Sequence, residues 1–280
     1  MTYVDAHSHL ADPRLDSCRS WMIQNARAEG IGHIVQGGVG PEDWQRQLEL
    51  KAQIPEVAPV FGLHPYWVND HSQDECEAAL DQLAVLAGRA CAIGEAGLDL
   101  RPQYADSQGL QTEIFQRQIE IACFARKPVV LHLVQAHEEA MKILSLWELP
   151  AQGGIVHAFN GSVAKAQDFL SYGLKLSIGG AVCRANNQRL HQAIKTIGLE
   201  SLVIESDTPD QAPPPPVEGQ DLAPAAGSAL AVPPNSAIPE NFSQPTTILR
   251  VAAVIAQIQG LSTSEVLDRT SQNARKLFSL

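Results

Sequence analysis

The sequence predicts a (β/α)8 barrel, and three observations carry that expectation. Eight short runs rich in Val, Ile and Leu alternate with stretches of helical periodicity along 280 residues. Most of these runs are apolar almost throughout, as parallel strands buried on both faces must be. Histidines and carboxylates recur where the runs end, the face on which such barrels carry their chemistry. An open doubly wound sheet would want a Gly-rich phosphate turn after an early strand, and none is present. Barrels of this length fold as one unit, so residues 1–280 are expected to form a single domain.

The chain opens with Tyr3-Val4-Asp5-Ala6-His7-Ser8-His9, a strand whose alternation sends His7 and His9 to the same face. A helix over 16–29 follows and stops at Gly30. The second strand is His33–Gln36, after which Pro41 begins a helix carrying Trp44, Leu48 and Ala52. Val57–Phe61 is the third strand and runs into Gly62-Leu63-His64-Pro65; residues 74–88 form the next helix. The fourth strand, 90–93, delivers Gly94-Glu95-Ala96-Gly97-Leu98-Asp99, and a long helix bears Leu110, Ile114, Ile121 and Phe124 on its apolar side. Pro128–His132 and Gly153–His157 are strands five and six, separated by a helix over 136–147. Ser162 caps a helix that closes at Gly173, and Leu174–Ile178 is strand seven. After a helix holding Leu190 and Ile194, Leu202–Glu205 is strand eight and ends in Ser206-Asp207-Thr208-Pro209. The helix over 246–259 is expected to be the last.

One segment breaks the rhythm. Residues 209–245 hold ten of the 18 prolines, a composition that favours extended chain. This Pro- and Ala-rich insertion, about 210–244, springs from the end of strand eight and is expected to hang beside the active face, as a lid or as a surface insertion.

Apolar residues make up 45 %, enough for a sizeable core, while a formal net charge of −11 leaves no broad basic face to coat nucleic acid. An anionic substrate would have to be gripped locally, where bound cations offset the charge. The five cysteines are scattered without a Cys-x-x-Cys pair, which argues against a disulfide framework or a structural zinc site. With neither a leader-like start nor a run long enough to span a bilayer, the chain is expected to be soluble and cytoplasmic.

The strand ends present His7, His9, His64, Glu95, His132, His157 and Asp207. Imidazoles with hard carboxylates suit Zn²⁺, Mn²⁺ or Mg²⁺ without thiolates. Six ligands exceed one catalytic site with open positions and match two ions sharing a carboxylate. His7, His9 and Asp207 are assigned to the first ion, His132 and His157 to the second, and Glu95 to both. A hydroxide generated between them would be the nucleophile.

Asp-Ala-His-Ser-His (5–9), Gly-Leu-His-Pro (62–65), Gly-Glu-Ala-Gly-Leu-Asp (94–99), His132, His157-Ala-Phe, Glu205-Ser-Asp-Thr-Pro and Asn273-Ala-Arg-Lys-Leu-Phe278 together resemble the TatD family. These are metal-dependent hydrolases, many of them deoxyribonucleases, of the amidohydrolase-like TIM-barrel type. The resemblance implies the same six ligands and a second role for Asp207, which orients or deprotonates the attacking water. It also implies that His64 contacts the scissile phosphate, that Asp99 and Glu205 orient ligands, and that Arg184 holds a phosphate. Two departures touch the substrate side. The family's basic residue after the fifth-strand histidine is missing from His132-Leu133-Val134, and Ser243-Gln244-Pro245 stands where Asn-Glu-Pro is common.

The resulting expectation is a two-metal phosphodiesterase, a 3′→5′ deoxyribonuclease on single strands or DNA ends. A lactonase, amidohydrolase or phosphotriesterase with the same ion pair, acting on a small ester or amide, is the first alternative. A non-catalytic protein docking partners through its Pro-rich loop is the second.

Overall fold

A computed structural model describes residues 2–215, 238–239 and 241–280. Most of the Pro-rich stretch, including its expected lid and partner-docking roles, lies outside these residues. Strand β1 (Tyr3–Ser8) pairs in parallel with β2 (Ile31–Gln36), and β2 with β3 (Val57–Ala58). A second parallel run, in chain order, holds β4 (Val60–Phe61), β5 (Ala92–Asp99), β6 (Val129–Val134), β7 (Gly154–Val156), β8 (Leu174–Ile178) and β9 (Leu202–Ile204). The pair β3 and β4 is the expected third strand cut at Pro59, whose nitrogen has no hydrogen to give to a ladder. The ring closes where Asp207 N–H donates to the His7 carbonyl (3.0 Å) and His9 N–H to that of Thr208 (2.7 Å). The architecture is the expected (β/α)8 barrel, and its closure sets Asp207 beside the two N-terminal histidines.

Two apolar layers hold it. Inside the barrel, Val4, Ala6, Val35, Val60, Val130, Ile155 and Val203 pack together, small or β-branched side chains suited to a narrow lumen. Outside, Ile34, Phe61, Ile93 and Leu131 face helices such as α2 (Pro41–Gln53) and α5 (Gln108–Ala125), which contribute Trp44 and Phe115. Here the structure corrects two expectations. The helix over 246–259 is α9 (Thr247–Gln259), but it is not the last. A further helix, α10 (Thr263–Phe278), inserts Leu277 and Phe278 against the interior cluster and plugs the N-terminal end of the barrel. Its buried residues Val266, Leu267, Thr270, Ala274 and Leu277 recur at helical spacing, and Asn273 bonds the carbonyls of Leu199 (2.8 Å) and Leu202 (2.7 Å). Phe124 does not belong to the apolar side of α5 but is 92 % exposed. Two residues past buried Ala122, the helix has turned more than half a circle.

Strand β5 runs to Asp99, well beyond the expected 90–93, so Glu95 rises inside a strand rather than after one. At Gly97 an added Cβ would lie 1.9 Å from the His132 carbonyl oxygen, so only glycine lets β5 approach β6 this closely. Gly97→Ala is expected to push the two strands apart and destabilise the protein by about 2 kcal/mol or more. Denaturant unfolding checks the loss of stability, and metal affinity should fall in parallel.

Candidate metal centre

The site is built around Glu95, only 1 % exposed and carried on the central part of β5. Its Oε1 lies 3.2 Å from His9 Nε2 and 3.6 Å from His7 Nε2. Its Oε2 lies 3.2 Å from His132 Nδ1, 3.3 Å from His157 Nε2 and 3.9 Å from His64 Nε2. Asp207 Oδ1 completes the first side, 3.5 Å from His7 Nε2 and 3.6 Å from His9 Nε2. One carboxylate therefore faces His7 of β1 and His9 just beyond it with one oxygen, and histidines from the β6 and β7 ends with the other.

The electrostatics follow from burial. Desolvation alone would raise Glu95, but the imidazoles of His7, His157, His64 and His9 outweigh it and hold the carboxyl well below its usual range. Burial drives His7 well below its usual value, with the nearby His157 ring acting in the same direction. Burial also opposes the charged forms of His9 and His157. Carboxylates win there, raising His9 to about 9 chiefly through Glu95, and His157 to about 10 chiefly through Glu205. Burial raises Asp207 to about 7 against the pull of His157 and His9.

Several supports fix the ligand geometry. Glu205 is fully buried, accepts hydrogen bonds from Ala158 N–H (2.7 Å) and from the Ser177 hydroxyl, and lies 3.3 Å from His157 Nδ1. It steadies His157 with Nε2 directed at Glu95, as expected from the sequence. Asp99 departs from expectation. Its buried carboxylate takes Arg101 instead, with Nε at 2.9 Å and Nη2 at 2.5 Å, and orients no histidine. An unpaired carboxylate would be costly at that depth, and the neighbouring guanidinium resolves the cost.

His64 caps the short helix α3 (Pro65–Asn69), its Nδ1 accepting from Tyr66 N–H at 3.0 Å. That bond places the neutral ring's proton on Nε2, which lies 3.2 Å from His132 Nδ1. Burial, with His132 next, holds the His64 ring well below its usual pKa and keeps it neutral. His64, Glu95 and His132 also hold ligand atoms within 4.8 Å of one another. Arg184 is exposed after the turn Gly180–Cys183 and does not line the cavity.

Three contributors were missed from sequence. Asp5 accepts from Ser206 N–H (2.8 Å) and Oγ–H (2.5 Å), tying β1 to the segment that bears Asp207. It stands two residues before His7, so the alternation that paired His7 with His9 could have found it. Asp43, raised to about 6 by burial, accepts from Val39 N–H and Gln47 Nε2 near His9. Gln211 donates from Nε2 to Asp207 Oδ2 at 2.5 Å, leaving Oδ1 turned to the histidines. For these last two no sequence signal separates them from surface polar residues.

Buried polar atoms show whether the donor set fits a metal. Both His7 ring nitrogens, His132 Nε2 and Glu95 Oε1 have no hydrogen-bond partner among the described residues, and each would be costly if left so. Two overlapping groups, His7 with His9 and Glu95, and His7 with His157 and Asp207, hold ligand atoms within 4.8 Å of one another. Nitrogen and carboxylate donors at this spacing suit divalent cations. The atoms sit at the floor of an open cavity of about 530 Å³ that His64, Tyr66 and Arg14 also line.

The comparisons agree with this chemistry. Residues 4–279 match the family described as TatD related DNase. The chain belongs to the TatD family. It is thus an enzyme, a metal-dependent hydrolase acting on ester bonds. The metal-dependent hydrolase YjjV of Escherichia coli K12 is 27 % identical, the match covering 99 % of this chain and 98 % of the relative. The 3′-5′ ssDNA/RNA exonuclease TatD of Erwinia tasmaniensis is also 27 % identical, with 99 % of both chains covered. The crystal structure of YjjV superposes with a TM-score of 0.82 at 25 % identity over 99 % of this chain and 98 % of that one. Among the described residues, no helix of this TatD-family protein is long and apolar enough to cross a membrane.

Two outcomes are expected of the site. Glu205→Gln should weaken divalent-metal affinity roughly tenfold to a hundredfold while leaving the fold intact, checked by competition against a chelating dye. Because His9 and His157 are raised to about 9 and 10, metal must displace protons from them. Both rings hold protons below those values and lose them above. Affinity should therefore rise as pH climbs from about 7 toward 10, with proton release seen by calorimetry in buffers of different ionisation enthalpy.

Proposed function

We propose that the chain, acting as one barrel unit over residues 1–280, is a two-metal 3′→5′ exonuclease of single-stranded nucleic acid, with DNA ends as substrate. The observation that carries this reading is the single buried carboxylate, Glu95, whose two oxygens face two separate sets of imidazoles. The exonuclease named among its relatives supports the substrate class. His7, His9, Asp207 and Glu95 would hold one divalent ion, and Glu95, His132 and His157 the other, Mg²⁺, Mn²⁺ and Zn²⁺ all suiting the donors. Bound there, the ions supply Lewis-acid stabilisation of phosphoryl oxygens and make water a stronger acid.

The chain's own groups do the rest. Asp207 accepts the proton of the attacking water on its carboxylate, which Gln211 holds in place through Oδ2. Its raised pKa reflects a site that already tolerates the protonated form. His64 presents its Nε2–H over the cavity floor as a donor for a phosphoryl oxygen. Glu205 keeps His157 in place as charge moves. A small ester or amide is the second reading, favoured by the apolar Leu133 and Val134 after His132, where the family commonly has a basic side chain.

End-labelled single-stranded DNA, incubated with stripped protein resupplied with each cation, should yield a metal-dependent ladder from the 3′ end. Asp207→Ala should lower the rate roughly a hundredfold or more. Intact DNA with every metal, from protein shown to bind two ions and to hydrolyse lactones or amides, would overturn the nuclease in favour of the second reading.

A further inference from the structure

We propose that Tyr66, Tyr104 and Arg101 form a nucleobase-stacking subsite on the rim of the metal cavity, which holds the terminal base of a single strand beside the ions. The proposal rests on the nuclease reading and names what that enzyme grips.

Tyr66 is the pivot. It lines the cavity and is 39 % exposed, although Pro65 and Val68 of the same short helix are buried. Its ring centroid lies 4.2 Å from that of His64 and 5.8 Å from that of His132, so a base resting on it is within one sugar's reach of the site floor. Tyr104 stacks alongside, with centroids 5.3 Å apart and planes 26° from parallel. The guanidinium carbon of Arg101 sits 5.8 Å from the Tyr66 centroid and 5.5 Å from that of Tyr104. Arg101 Nη2 also donates to the Tyr66 hydroxyl at 2.7 Å.

This assembly is ordered before any ligand arrives. Asp99, fully buried, clamps Arg101 through two of its nitrogens, and its own backbone N–H is held by Gln111 Oε1 at 2.9 Å. A long surface arginine would ordinarily sweep through many rotamers, but this one is fixed against two aromatic faces. Rings and guanidinium planes held in this way are the elements that stack unpaired bases, a grip that tolerates any sequence because every base has a π face. They suit this chain in particular. A formal net charge of −11 gives little general attraction for a phosphate backbone, so contacts to bases add affinity for a strand where charge adds little.

The test is a cycle of two changes on the metal-loaded full chain. KM is measured with a single strand carrying a normal or an abasic 3′-terminal nucleotide, for the natural chain, Tyr66→Leu and Tyr66→Phe. Leucine should raise KM for the normal strand roughly tenfold, the abasic end should do the same to the natural chain, and the two together should do no more than either alone. Phenylalanine, which keeps the ring, should stay within about twofold of the natural chain. A 3′-terminal 2-aminopurine should be quenched on mixing, before cleavage, by the natural chain and not by Tyr66→Leu. Additive effects, or unchanged quenching in Tyr66→Leu, would overturn the subsite while leaving the nuclease standing. Tyr66-dependent quenching without cleavage by any metal form would overturn the nuclease and leave the subsite.

Discussion

The structure depends on one constraint: a carboxylate, Glu95, buried among five imidazoles. Burial disfavours its charge and theirs together, and only mutual attraction keeps any charge there at all. The rings answer by dividing. Burial drives His7 and His64 toward neutrality, whereas carboxylates outweigh burial at His9, beside Glu95, Asp207 and Asp43, and at His157, beside Glu205, Asp207 and Glu95, and these two are raised. Carboxylates thus favour the protonated forms of His9 and His157. The barrel has built a cluster whose carboxylates attract positive charge, and a metal ion and a proton compete for the same nitrogens.

Holding that cluster demands backbone groups that the ladders cannot satisfy, because strands end where the site begins. Three buried glutamines meet the demand from the helical layer. Gln47 of α2 bonds the Gly37 carbonyl (3.0 Å) and Val60 N–H (2.9 Å). Gln118 of α5 bonds both polar groups of Leu63, directly before His64 (2.7 and 3.0 Å), and Gln111 takes Asp99 N–H. Each is an amide used as a short piece of strand. The helices therefore set the angle of the site residues as well as covering the barrel.

This division explains what could be read from sequence. The histidines, Glu95 and Asp207 were legible because alternation along strands and their position at strand ends are one-dimensional patterns. Glu205 was legible through the family motif around it. Pro59 was visible as a letter, though not as the break between β3 and β4. The buried glutamines were not legible, since on a helical wheel glutamine counts as a solvent residue, and only the facing strand end makes it an interior one. Asp99 misled for a related reason. Its partner Arg101 lies two residues on, too close in sequence to look like a tertiary contact, and the pair turned a supposed ligand support into an anchor at the cavity rim. Helix α10 kept a good apolar period, but its destination, the floor of the barrel, belongs to closure of the ring rather than to any local pattern.

Closure also brings the root of the Pro-rich insertion into the site. Asp207 is held from one side by the His7 carbonyl and from the other by Gln211, four residues later. Between them, Asp210 pairs with Arg14, which is also bound by Asp12 and lies 5.7 Å from the Phe242 ring at the far end of the insertion. Arg14, Asp12, Asp210 and Gln211 all line the metal cavity. Both described ends of the insertion are thus pinned to the rim by a cation that the cavity itself presents. Arg14 is thereby committed to two carboxylates, which fixes the rim beside Asp207. Arg101, bonded to the cavity residue Tyr66, is committed to Asp99 in the same way. With both arginines engaged, neither is free to meet an anion at this site, and a cation held by the Glu95 cluster would supply positive charge there instead.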